Sequence, residues 1–118
     1  MVNMWDGLLP IGSVVLLKGA EVPLMIIGLC QTRIEEADNP TTVFDYVGVG
    51  YPMGLTRPDE MYKFNREAIE KVYHIGYITD EMLQFLPTVE DLMQRLRDGS
   101  ITAADLRDVP ENEAGEDA

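Results

Sequence analysis

Two periodicities divide the chain. Ser13 to Lys18 is nearly all β-branched or leucine, and Pro23 to Thr32 repeats the pattern with Leu24, Met25, Ile26, Ile27, Leu29 and Cys30. Such runs predict strands, and the short, glycine-containing Gly19-Ala20-Glu21 between them predicts an antiparallel hairpin. Apolar residues at every position, rather than at alternate ones, call for burial of both faces, one toward an interior and one under a helix or a partner. Gly28, in mid-strand, marks where a sharply curved sheet would bend.

Glu35 to Thr42 is polar and carries the turn signal Asn39-Pro40, so it reads as an exposed loop. A third strand follows over about Thr42 to Val49. Proline and glycine in Tyr51-Pro52-Met53-Gly54 then prevent regular pairing, and Met61 to Phe64 resumes as a short fourth strand. Asn65 is placed to cap a single helical turn through Ile69. Lys71 to Tyr77 forms the fifth strand, whose alternation puts Tyr73, Ile75 and Tyr77 on a core face and Val72, His74 and Gly76 on the other.

From Thr79 the period lengthens. Met82, Phe85, Leu86, Val89, Leu92, Met93 and Leu96 recur at spacings of three and four, which is one apolar stripe along a helix. Thr79 can cap its start, with Asp80 and Glu81 in the first turn, where the helix dipole favours acids. Pro87 interrupts the middle, and Thr88-Val89-Glu90-Asp91 offers a second capping-box-like start. Two short helices, or one kinked helix, ending before Gly99 are therefore expected. The stripe either packs on the protein's own sheet or, where it outruns that sheet, seeks a second subunit or a helical client. Thr102 to Arg107 is expected to add a further turn.

The predicted fold class is α+β. It comprises a small, strongly bent antiparallel β-barrel or sheet of the SH3-like kind, with about five strands, followed by a C-terminal helical segment. A flat, open antiparallel sheet is the alternative architecture. Residues 1–109 read as one domain, and residues 110–118 as an acidic tail with too little apolar area to offset the entropy of ordering.

Charge narrows the partners. Nine basic residues face 21 acidic ones in 118 residues, a net charge of −12, so phosphate backbones and anionic lipid surfaces are repelled. Neither nucleic acid nor a membrane is expected as a partner. No apolar run approaches the roughly 20 residues of a transmembrane helix. Met1 to Asp6 lack the basic region that opens a secretory signal peptide, which predicts a cytoplasmic location.

The inventory of reactive groups is thin. His74 is the only histidine and Cys30 the only cysteine, so histidine-pair and cysteine-cluster metal sites are excluded by counting. Cys30 reads as a buried, inert thiol. A serine relay would have to join His74 to Ser13 or Ser100. Gly48-Val49-Gly50 runs into Tyr51-Pro52 rather than a helix, which removes a phosphate-binding loop. Glu35, Glu36 and Asp38 read as a solvated acidic loop. No enzyme activity, cofactor or metal is expected. The candidate binding residues are Tyr51, Pro52, Met53, Gly54 and Leu55, because a proline-fixed turn presenting aromatic and methionine side chains suits a partner's apolar helix face. Trp5 joins them as a further aromatic anchor.

Leu8 to Gly19, with its Pro10-Ile11-Gly12 turn into a β-branched strand, and Phe44 to Gly54 together carry a family resemblance. The chain resembles a family of small domains of unknown function encoded in Gram-positive bacteria beside type VII secretion genes and their LXG-type toxins. The likeness covers about residues 8 to 78, with Pro10, Gly12, Gly19, Phe44, Tyr46, Gly48, Tyr51, Pro52, Gly54, Phe64 and Asn65 as motif positions, and it assigns no catalytic residue. It implies a cytoplasmic accessory or chaperone-like protein supporting toxin export, with a helical toxin N-terminal domain as partner. A toxin-neutralising immunity protein is the alternative, and homodimerisation is left open.

Overall fold

A computed structural model describes residues 7–32 and 42–101. Trp5, the loop acids Glu35, Glu36 and Asp38, the turn expected over Thr102 to Arg107 and the acidic tail lie outside the described residues. Among the described residues there are five strands: β1 (Val14–Leu17), β2 (Leu24–Thr32), β3 (Val43–Gly50), β4 (Tyr62–Phe64) and β5 (Ile69–His74). A 3-10 turn at Arg66–Ala68 precedes β5, and helix α1 (Asp80–Asp98) follows it. The strands form one antiparallel sheet in the order β4-β3-β2-β1-β5. Among the described residues its two outer strands do not pair, so the sheet is open and the expected barrel does not close. The three-residue β4 offers little edge for closure, and α1 contributes to the core that the sheet leaves uncovered.

Bulges bend the sheet where glycine permits it. Between β2 and β3 the register slips from Ile26↔Gly48 to Gly28↔Val47, which leaves Ile27 unpaired immediately before Gly28. The same device corrects the expected phase of β5. Val15 faces Val72 while Val14 faces His74, so Tyr73 is the extra residue, and a second slip lies between Leu16 and Leu17. Val72 is consequently the core residue, whereas Tyr73 is 55% exposed and Tyr77 82% exposed. Ile75 alone of the expected aromatic-face trio packs against the core.

Helix α1 runs uninterrupted through Pro87. Thr79 caps it, its Oγ1 accepting from the Met82 N–H at 3.0 Å. The second capping start is not used, because the Thr88 hydroxyl donates to the Gln84 carbonyl at 3.2 Å within the same helix. Leu86, Val89, Met93 and Leu96 are buried against Leu8, Leu9, Val15, Ile26 and Tyr46, so the stripe packs on the protein's own sheet. Tyr46 and Phe64 stack obliquely with ring centroids 5.4 Å apart. Leu83 and Phe85 remain half exposed.

A serine ties the Pro-Ile-Gly turn to the segment just after the last strand. Ser13 is buried; its Oγ donates to the Pro10 carbonyl at 2.8 Å and accepts from the Gly76 N–H at 3.0 Å. That crossing brings Gly76 so close to the Pro-Ile-Gly turn that an added Cβ would lie 2.1 Å from the Ile11 carbonyl oxygen. The obstacle is backbone and cannot rotate away. Gly76→Ala should therefore cost about 3 kcal/mol, seen in urea denaturation as a lower midpoint with an unchanged slope.

Candidate functional site

The chain leaves β3 through Tyr51 to Leu55, and two backbone hydrogen bonds hold this turn. The Tyr51 N–H donates to the Pro23 carbonyl at 2.9 Å and the Gly54 N–H to the Gly50 carbonyl at 2.7 Å. The Tyr51–Pro52 peptide is cis, and Gly54 has φ of +75°. Nothing lies within 4 Å of a Cβ built at Gly54, so backbone conformation, not space, selects glycine there. Tyr51, Met53 and Leu55 are all exposed, Met53 at 60%. An apolar loop is thus presented to water on a turn fixed by backbone hydrogen bonds.

Beside the loop opens a groove of about 570 Å³. Leu17, Val22 and Leu24 come from the β1–β2 hairpin, Met53 from the loop and Tyr62 from β4, while Gly50 and Gly54 contribute only backbone. Glu21 and Glu60 add carboxylates, and among the described residues no basic side chain joins the lining. Of the residues expected from sequence, Met53 and Gly54 line the groove, whereas Tyr51, Pro52 and Leu55 belong to the adjoining exposed loop. Trp5 lies outside the described residues. Val22, Leu17 and Tyr62 were not foreseen; an apolar valine in a glycine-containing turn was the one available signal.

A second recess, of about 490 Å³, is polar and is lined by Asp45, Asn65, Arg66, Glu67, Glu90 and Arg97. Asp45 is buried in β3, with 1% of its surface exposed. Its carboxylate accepts from the Arg66 backbone N–H at 2.8 Å, from Arg66 Nε at 3.2 Å and from an Arg97 guanidinium nitrogen at 3.0 Å. Arg66 also donates to Glu90 Oε1 at 2.9 Å, and Glu90 Oε2 accepts from the Leu8 N–H at 3.0 Å. Asn65 does not cap the 3-10 turn with its side chain. Its Oδ1 accepts instead from the Asp45 N–H at 2.9 Å, because that buried donor needs a partner. An acid inside an otherwise apolar strand was the sequence sign of this network.

Burial pushes the Asp45 carboxyl up, but the hydrogen bonds from the Arg66 side chain and backbone and from Arg97 outweigh it and hold the group below its ordinary range. Burial acts against the Arg66 charge, and the bonds to Asp45 and Glu90 more than reverse that, so Arg66 is driven up. Neither group exchanges a proton near neutrality. The Cys30 thiol is also raised, chiefly by burial against a smaller opposing effect of Arg97, and is a poor nucleophile. Ser13 is committed to its clamp and His74 is exposed. Among the described residues, no group of three His, Cys, Asp or Glu side chains is arranged to hold a metal ion, and no helix is long and apolar enough to cross a membrane.

The sequence model of the family described as "Domain of unknown function (DUF4176)" matches residues 8–85. The chain belongs to this family. No curated protein and no solved structure matches it. The DUF4176 match spans the sheet, the exposed loop and every residue of the apolar groove. Glu90 and Arg97, which complete the polar network from the second half of α1, lie beyond it.

The network sets an acid limit on stability. Because the Asp45 carboxyl is depressed from 3.8, its contribution is complete above that value and is lost as the pH falls through the folded-state pKa. Arg66 and Arg97 are each more than a third exposed, so water recovers part of what they lose without it. Asp45→Asn should lower stability by about 2 kcal/mol at neutral pH and flatten the acid side of the stability profile, both measured by urea denaturation at successive pH values.

Proposed function

We propose that this domain is a non-enzymatic, cytoplasmic accessory or chaperone-like protein that binds the N-terminal helical domain of an LXG-type toxin and supports its type VII export. The observation that carries the reading is the exposed Tyr51-Met53-Leu55 turn, held by its backbone beside an apolar groove. A surface ordered before binding loses little entropy when a partner arrives. Methionine and tyrosine adapt to an apolar helix face without requiring one partner shape. The likeness to domains encoded beside type VII secretion genes supplies the client class. The meander order, with a 3-10 turn before the last strand, supports an SH3-like reading of the sheet.

A second reading has its own support. The net charge of −12 suits an immunity protein that blocks a basic toxin domain. The two readings differ in the half of the toxin that binds.

The test is co-purification with each half of an LXG-type toxin from the same genome. The helical N-terminal half should be retained, and a double variant Met53→Asp/Leu55→Asp should bind it about tenfold more weakly with an unchanged circular dichroism spectrum. Retention of the C-terminal toxic half alone, with loss of its activity, would establish immunity instead. Absence of a complex with either half at micromolar concentration would overturn both.

A further inference from the structure

The groove's two ionisable side chains are both acids. Glu60 is engaged by Arg57, with Nε 3.4 Å from Oε2, and by the Thr56 hydroxyl. Glu21 is exposed in the β1–β2 turn and has no ion pair among the described residues. The walls around these carboxylates are aliphatic or aromatic: Leu17, Val22, Leu24, Met53 and Tyr62. Acids outnumber bases 21 to 9 in the whole chain, so the surrounding field reinforces the local one.

Such a lining discriminates by two separate means. The apolar walls favour any segment that brings hydrophobic side chains out of water. A carboxylate with no cation opposite it favours a neighbouring lysine or arginine and penalises an acidic residue there. The volume of about 570 Å³ is that of a typical small-ligand cleft, enough for the anchoring side chains of a chain segment but not for a folded domain. Leu55 and Met61, each next in sequence to a groove residue, are exposed apolar side chains as well, so the apolar positions in this stretch outnumber those a small molecule would use. A polypeptide segment uses both.

We infer that the groove takes a short apolar segment of a partner protein in which lysine or arginine flanks the anchoring side chains, with Glu21, the carboxylate that has no ion pair among the described residues, reading that charge. This rests on the reading of the domain as a protein-binding module and names the chemistry of what it binds. Glu21 sets preference, and the walls set affinity.

The test uses the full chain and two fluorescein-labelled peptides with the same leucine and phenylalanine anchors, one flanked by lysines and the other by glutamates, titrated by anisotropy. The lysine peptide should bind more tightly, and the difference should shrink as salt is raised. Glu21→Gln should weaken the lysine peptide about threefold and leave the glutamate peptide no weaker. Glu81→Gln, which makes the same change of net charge on α1, should do neither. Val22→Ser should weaken both peptides alike. Equal binding of the two peptides, or equal effects of the groove and helix charge variants, would overturn the inference and leave only general acidity. Failure of the toxin halves to bind while the peptides behave as expected would remove the proposed client and keep the groove.

Discussion

A carboxylate taken out of water must be matched, and in this protein matching Asp45 ties distant parts of the chain together. Burying an unpaired charge costs several kcal/mol, more than a single hydrophobic contact returns. Asp45 lies in β3; its partners are Arg66, just after β4, and Arg97, in the last turn of α1. Arg66 continues to Glu90 on the helix, and Glu90 to the Leu8 backbone. Apolar contact between α1 and the sheet is without direction and would accept several positions of the helix. The charges accept few. They set where Leu86, Val89, Met93 and Leu96 meet the strands.

The apolar groove and this network draw on the same strands but share no residue. Gly50 and Asp45 both lie on β3, and Tyr62 stands two residues before the buried Phe64 on β4. The groove and the stabilising charges are thus held by one sheet while remaining chemically separate. The path of the Tyr51–Leu55 turn is fixed by backbone hydrogen bonds to Pro23 and Gly50, so it does not draw on the buried charges. This separation lets a small domain present apolar residues to water and still be stable.

Much of the architecture was legible because local signals agreed. The β-branched runs, the Gly19 turn, the Thr79 cap and the period change after it each appear where expected, within one or two residues at most ends. The errors share one cause. Alternation in β5 failed because the bulge at Tyr73 inserts an extra residue opposite Val14 and Val15, and a bulge is set by the neighbouring strand. Of the two forms expected around Pro87, two separate helices do not occur: α1 is continuous from Asp80 to Asp98, with Pro87 on its exposed side. Barrel closure failed because α1 supplies cover that more strand pairing would otherwise have given. Of the candidate site, the turn was legible through its proline and glycine, whereas Val22, Leu17 and Tyr62 were not.

By itself, the order of residues determined the five strands, the single helical stripe, the acidic field and the Tyr51–Leu55 turn, since each depends on neighbours within a few positions of the chain. Only the tertiary structure decided which face of β5 is buried, that Asn65 serves Asp45 rather than its own turn, and that hairpin, loop and β4 side chains meet around one groove. Those outcomes depend on groups far apart in sequence competing for the same space and the same hydrogen bonds. No local pattern records that competition.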